Sequence, residues 1–191
     1  MNNENLSALV NLPDISNETK SLETQFLTFL IQGEYFALNI KTIKEILNYK
    51  IITKMPFMPN FVHGVLNLRG VVIPVIDLSA RLHNKESVIG GRSSILIIDV
   101  ITNSGNQPLG ILVDGVSEVL NLNSSNIDAP PKFGAHLRPD FIVGVTRIKN
   151  NFIIILNQDS VFSIEEMAIQ IEKISVPANM KMARSEDLAS G

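Results

Sequence analysis

The fold of this 191-residue chain is decided by a short stretch that occurs twice. It reads Phe36-Ala-Leu-Asn-Ile-Lys-Thr-Ile-Lys-Glu-Ile-Leu47 and, 73 residues later, Leu109-Gly-Ile-Leu-Val-Asp-Gly-Val-Ser-Glu-Val-Leu120. The apolar pattern matches position by position, and Glu45 falls on Glu118. Self-similarity at a fixed offset indicates duplicated structural units, so two related units are predicted.

A second match supports the duplication. Gly64-Val-Leu-Asn-Leu-Arg-Gly-Val-Val-Ile-Pro-Val-Ile-Asp77 aligns with Gly144-Val-Thr-Arg-Ile-Lys-Asn-Asn-Phe-Ile-Ile-Ile-Leu-Asn157 at an offset of 80 residues, and Arg69 or Lys149 precedes the turn. Chance resemblance between two β-rich stretches is the alternative. Strand propensity alone does not require matching Glu and Gly positions, which favours a true repeat.

Short runs of Ile, Val and Leu separated by Gly, Pro, Asn and Ser predict strands rather than helices. The predicted strands and turns include Phe26–Ile31, Tyr35–Ile40, Ser94–Ile101, Leu109–Val113, Asn67–Gly70 and Lys149–Asn151. Strands this short do not make a stable flat sheet alone. We therefore predict an all-β fold with two SH3-like five-stranded β-barrels in a pseudo-two-fold arrangement. The units cover about 25–78 and 93–158, and edge strands could be exchanged between them.

The two ends of the chain differ from its middle. Residues 1–23 and 176–191 are rich in polar residues without sustained periodicity, so flexible tails are predicted around a domain at 24–175. Ser163 and Glu166 have the spacing of a capping box, and apolar residues follow at helical intervals. A short C-terminal helix is therefore predicted over about 164–174, and packing against the core is its expected role.

No pattern of catalytic or metal-binding residues stands out. The three histidines, His63, His83 and His136, lack metal-ligand spacing and are interpreted as surface or structural residues, and the chain contains no Cys. Asp77 is interpreted as a helix cap and Asp114 as part of a turn. We predict that the protein is not an enzyme and that it has no catalytic residue, no cofactor and no metal.

Charge and hydropathy restrict the remaining classes of function. The 16 Lys and Arg against 19 Asp and Glu give a net charge of −3, which provides no basic field for nucleic acid. A small-barrel nucleic-acid-binding protein is the distant alternative, since such barrels include single-strand binders. The start lacks the features of a signal peptide, and the apolar runs are too short to span a bilayer. A cytoplasmic protein without direct membrane insertion is expected.

Several motifs together resemble the CheW family of chemotaxis coupling proteins. They are Val62-His-Gly-Val-Leu-Asn-Leu-Arg-Gly70, Pro74-Val-Ile-Asp-Leu78, Leu112-Val-Asp-Gly-Val-Ser-Glu-Val-Leu120 and Pro130-Pro-Lys-Phe-Gly134, within a resemblance that covers about 24–172. The resemblance implies a non-enzymatic adaptor or scaffold of two-component signal transduction. It would couple methyl-accepting chemoreceptors to the histidine kinase CheA. A CheW-like adaptor of a type IV pilus or surface-motility chemosensory system is the alternative, since the same fold serves both.

The resemblance also implies two partner-binding surfaces. One would hold the cytoplasmic tip of the receptor, with Glu45 and Arg69 as an ion pair and Ile43 and Val72 as the apolar wall of a groove. Arg suits this position because its planar guanidinium can hold a carboxylate and still offer donors to a partner. A solvated surface pair without a binding role is the alternative.

The other surface would bind the regulatory domain of CheA. It is expected to be largely apolar and rich in β-structure, but no residue can be assigned to it from the sequence. Glu118 and Lys149 occupy the positions that correspond to the first ion pair, and a second pair there would be a structural device. Association with membrane-bound receptor arrays would occur through these protein partners alone.

Overall fold

The structure, a computed structural model, describes residues 23–102, 105–130 and 137–168. These ranges contain ten strands: β1 Thr24–Ile31, β2 Glu34–Asn39, β3 Ile43–Asn48, β4 Val62–Leu68, β5 Val71–Asp77, β6 Ser94–Thr102, β7 Gly105–Val113, β8 Gly115–Leu122, β9 Ile142–Ile148 and β10 Asn151–Leu156. The helices are α1 Leu78–His83 and α2 Gln158–Val161, with 3-10 turns at Ile40–Thr42, Ser124–Asn126 and Pro139–Phe141. Residues 164–168 are also helical.

The strands form two five-stranded sheets with the same topology. Sheet A has the order β8-β1-β2-β10-β9, and sheet B has the order β3-β6-β7-β5-β4. In each sheet one internal pair is parallel, β2 with β10 or β7 with β5, and the other pairs are antiparallel. Strands that correspond in the sequence repeat therefore occupy corresponding places, so the predicted duplication and the mostly β fold are confirmed.

The two repeat units do not each form one sheet, which corrects the assignment of one barrel to 25–78 and the other to 93–158. Sheet A combines β1 and β2 with β8, β9 and β10, whereas sheet B combines β3, β4 and β5 with β6 and β7. The first hairpin of each unit, β1–β2 or β6–β7, therefore joins the sheet that contains the last three strands of the other unit. The exchanged strands lie inside their sheets and are not edge strands. Among the described strands no pairing joins β8 to β9 or β3 to β4, so closed barrels are not observed.

Both sheets nevertheless curl at the same place. Thr53 forms an isolated bridge with Val65, and Asp128 forms one with Val145, so the chain after one edge strand meets the opposite edge strand. Gly64 lies at the first contact, where an added Cβ would be 2.3 Å from the Thr53 carbonyl oxygen. At the second contact a Cβ on Gly144 would be 2.4 Å from Ile127 Cγ2. The matching glycines of the repeat therefore allow the close approach.

The sheets share the largest apolar cluster of the described chain. It contains buried residues from both sheets, including Phe29 and Phe36 of sheet A and Ile98 and Ile111 of sheet B. Smaller clusters lie on the other face of each sheet. Central strand β6 is buried along most of its length, which explains its nearly continuous run of Ile, Leu and Val. Shared burial of this kind stabilises the two sheets as one unit.

Two predicted helix caps are confirmed. The Asp77 carboxylate accepts the Ala80 N–H at 3.1 Å and the Ser87 N–H at 2.8 Å, at the start of α1. Ser163 Oγ accepts the Glu166 N–H at 3.3 Å at the start of the last described helical turn. The predicted remainder of this helix, to residue 174, lies outside the described residues. Both predicted tails also lie outside them, except for Glu23, so the bounds 24–175 stay a prediction.

Candidate partner-binding site

The β4–β5 hairpin presents Arg69 at its tip. Leu68 pairs with Val71, so Arg69 and Gly70 form a two-residue turn, and their φ values of 54° and 87° are both positive. These values are typical of a type I′ turn, whose twist matches that of the flanking strands. The Gly70 N–H donates to Asn67 Oδ1 at 3.0 Å. The turn is thereby fixed, and the Arg69 side chain stays 78% exposed.

Arg69 meets Glu45 across the two edges of sheet B. Arg69 Nη2 donates to Glu45 Oε1 at 3.1 Å. Glu45 lies on β3, one edge strand of the sheet, while Arg69 follows β4, the opposite edge strand. The contact is possible because the sheet curls. We call the line along which these two edges face each other the seam of sheet B.

The ion pair does little for stability but gives Arg69 a defined orientation. An exposed pair of this kind contributes about 0–1 kcal/mol to the free energy of unfolding. Within the described chain, Glu45 is the one hydrogen-bond partner of the Arg69 guanidinium. The remaining N–H groups therefore face solvent and can donate to a carboxylate or carbonyl of a partner.

The two apolar residues of the predicted groove lie in different environments. Val72 is 63% exposed and sits opposite Asn67, next to the Arg69 turn. Ile43 is half-buried, pairs with Ile98 and packs against the core shared by the sheets. Val72 is thus available to a partner directly, whereas Ile43 supports the strand that carries Glu45.

A second contact across the same seam was not foreseen from the sequence. The Tyr49 hydroxyl lies 3.1 Å from His63 Nε2, and their rings meet edge to face at 6.0 Å. Burial lowers the pKa of His63, as does Lys54, while Asp77 and Glu86 act in the opposite direction. The lowered pKa favours the neutral imidazole, whose Nε2 can accept a hydrogen bond from the Tyr49 hydroxyl. The one signal in the sequence is that Tyr49 is four residues after Glu45, and an even spacing along a strand places both side chains on the same face.

The corresponding hairpin of sheet A lacks the ion pair. Lys149 has a φ of 56° at the β9–β10 turn, close to that of Arg69. No salt bridge joins it to Glu118 among the residues that the structure describes. Instead, the Arg147 guanidinium lies over the Phe152 ring at 5.6 Å, and Phe152 is 65% exposed. The backbone geometry is therefore duplicated, but the Glu–Arg contact is not.

The described residues contain no group of three or more His, Cys, Asp or Glu that could hold a metal ion. In the same ranges, none of the helices is long and apolar enough to cross a membrane. The two sheets form a small β-domain, and the exposed Arg69 at its hairpin tip is of a residue type that is enriched in protein–protein interfaces.

Comparisons with known proteins identify the family. A model of the CheW-like domain matches residues 25–166. The chain is 31% identical to the chemotaxis protein CheW of Klebsiella aerogenes, covering 86% of this chain and 95% of the relative. It is 34% identical to CheW of Rhizobium meliloti, covering 74% and 89%. The scaffolding protein TtCheW from Thermoanaerobacter tengcongensis superimposes with a TM-score of 0.66 at 30% identity, covering 74% of this chain and 88% of that one.

This chain belongs to the CheW family. It is a non-enzymatic adaptor of chemotaxis signalling, as the resemblance in the sequence implied. The surface-motility and nucleic-acid alternatives are not favoured by these matches.

Proposed function

We propose that this adaptor couples methyl-accepting chemoreceptors to the histidine kinase CheA. It would bind the cytoplasmic tip of the receptor and the regulatory domain of the kinase at separate surfaces, in the cytoplasm and within receptor arrays. The observation that carries the proposal is the exposed Arg69, oriented by Glu45 at the seam of sheet B. Membership of the CheW family supports it.

The receptor site combines one oriented cation with an exposed apolar residue. Val72 is 63% exposed beside the Arg69 turn, so an apolar side chain and a hydrogen-bond acceptor of the receptor can be bound together. Arg next to apolar contacts is typical of the residues that dominate binding energy in interfaces. A helical receptor tip with an exposed carboxylate and an apolar side chain would complement this site.

The kinase would bind to the outer surface of one of the curled sheets. We propose that each curled sheet is the equivalent of an SH3-like barrel and that the two are related by a pseudo-two-fold axis. The equal strand orders and the bridges at Thr53 and Asp128 support this. A like barrel of the kinase's regulatory domain would pack on an apolar, β-rich surface, separate from the Arg69 hairpin.

Titration of the purified adaptor with each partner tests the proposal. A one-to-one complex is expected with the cognate kinase's regulatory domain and with a fragment of the receptor tip. Val72→Asp should weaken the receptor complex about tenfold by replacing the exposed apolar contact with a carboxylate, and should leave the kinase complex intact. Phe152→Asp is the matched control, because Phe152 is the exposed equivalent of Val72 in sheet A. Absence of binding to the kinase's regulatory domain would contradict the proposed function.

A further inference from the structure

Arg81 is a buried cation at the junction of the two sheets. Its side chain is only 4% exposed. It lies on α1, which follows β5 of sheet B, and its Nε donates to the Val161 carbonyl oxygen at 3.1 Å. Val161 lies on α2, which follows β10 of sheet A. One side chain thus links the two short helices that leave the two sheets.

The same guanidinium also lies between aromatic residues of both sheets. Its Cζ is 5.4 Å from the centroid of Phe61, directly before β4, and 5.0 Å from that of Phe141, directly before β9. These two rings are repeat equivalents. The Phe61 carbonyl accepts the Asp77 N–H, and the Phe141 carbonyl accepts the Asn157 N–H, both at 2.8 Å. Arg81 therefore contacts the same structural position in each sheet.

The Glu166 carboxylate holds this cation in the low-dielectric junction. Arg81 Nη2 donates to Glu166 Oε1 at 3.0 Å, which ties the last described helical turn to the junction. Arg138 also donates to Glu166 and pairs with Asp140. Burial alone would raise the pKa of Glu166, but hydrogen bonds from Arg138 and Arg81 outweigh it and lower the pKa. Glu166 is thus held ionised, as a buried guanidinium requires.

We propose that Arg81 is a positioning residue that fixes sheet A against sheet B and so couples the two partner-binding surfaces. Methyl and methylene contacts in the shared core are nondirectional, whereas a planar guanidinium between two rings, with fixed acceptors, specifies one arrangement. The coupling part rests on the proposed function. A rigid connection between the sheets lets occupation of the receptor site influence the kinase site.

The geometric part can be tested without any partner. The chain has no Cys, so spin labels can be attached through Asn48→Cys on β3 and Ser117→Cys on β8, both at exposed positions. Pulsed EPR would then measure the distance distribution between the sheets. Arg81→Lys keeps the charge but loses the planar fork, and a broader distribution is expected. Arg147→Lys is the matched control, because the Arg147 guanidinium lies over the ring of Phe152 in its own sheet, at 5.6 Å, and the distribution should keep its width.

Phe61→Leu and Phe141→Leu provide a second pair of variants that leave the buried cation and Glu166 in place. Each removes one ring from one sheet, so each should broaden the distance distribution partially. An unchanged width in Arg81→Lys and in both Leu variants would overturn the proposal.

The coupling part needs the cognate kinase and receptor. Arg81→Lys should leave each binary affinity within about twofold while reducing receptor-dependent stimulation of the kinase by about fivefold or more. Normal stimulation despite a broadened distance distribution would overturn the coupling role. Failure of the unmodified adaptor to bind the kinase or the receptor would instead contradict the proposed function and leave the EPR result valid.

Discussion

The β4–β5 hairpin of sheet B and the β9–β10 hairpin of sheet A have the same place in the same strand order. Both have a positively charged residue with positive φ at the turn, Arg69 in one and Lys149 in the other. Only Arg69 reaches a carboxylate, that of Glu45. The two hairpins therefore share the conformation of their turns but differ in the contacts of their side chains. We expect any difference in their function to come from those side chains.

The largest effect is expected where the two copies differ in backbone conformation. Gly64 has a φ of 146°, and a Cβ there would meet a backbone oxygen at 2.3 Å; at Gly144 the nearest atom, at 2.4 Å, is a side-chain methyl of Ile127. Gly64→Ala should lower the free energy of unfolding by about 3 kcal/mol, through strain and overpacking. Gly144→Ala should cost less, because Gly144 does not have the positive φ of Gly64 and its nearest backbone atom, the Asp128 carbonyl oxygen, would be 2.8 Å from the added Cβ rather than 2.3 Å. Urea unfolding of both variants measures the difference, and equal losses would show that backbone strain at Gly64 is unimportant.

The repeat and the local signals predict much of the fold. The apolar alternation gives the strands, and the polar residue before an apolar run gives the Asp77 cap. The exchange of β1–β2 with β6–β7 could not be predicted. The backbone groups along the edge of a strand can pair with many strands, so the sequence of a strand does not identify its neighbour in the sheet. Arg81 was missed for a related reason, since Phe141 and Val161 are distant in sequence. The Glu45–Arg69 contact was expected from the family resemblance, and spacing alone would not have predicted it.

A pH-dependent effect is expected at the seam of sheet B. Its seam contains Tyr49 and His63, whereas the repeat-equivalent residues of sheet A are Leu122 and Val143, which do not titrate. The pKa of His63 is lowered by burial from 6.5, so the unfolded chain binds this proton more readily than the folded chain. The contribution of neutral His63 to the free energy of unfolding is therefore fully present above about pH 6.5, and it is lost as the pH falls below that value.

Unfolding by urea at pH 7.5 and at pH 5.5 measures this effect. His63→Gln should reduce the loss of stability between the two values. Asp140 and Glu166 do not interfere, since their lowered pKa values place their titration below their ordinary values of 3.8 and 4.5. An unchanged pH dependence in His63→Gln would exclude His63 as the group responsible.

A smaller effect is expected at the two hairpin tips. Glycine relieves the strain of positive φ, so Lys149→Gly should raise the free energy of unfolding by about 0.5 kcal/mol. Arg69→Gly gains the same relief but loses the ion pair with Glu45, so a smaller change is expected. Thermal unfolding at low ionic strength compares the two variants, and high salt should make them more alike. A larger gain for Arg69→Gly than for Lys149→Gly would contradict a favourable ion pair.

The central claim is that Arg69, unlike its counterpart Lys149, binds the receptor. The most direct measurement compares Arg69→Ala with Lys149→Ala in three assays: receptor-tip affinity, affinity for the kinase's regulatory domain, and free energy of unfolding. Arg69→Ala should weaken receptor binding about tenfold and leave the other two quantities nearly unchanged, within about 1 kcal/mol. Lys149→Ala should change none of them. Equal loss in all three assays for Arg69→Ala, or equal loss of receptor binding in both variants, would contradict the claim.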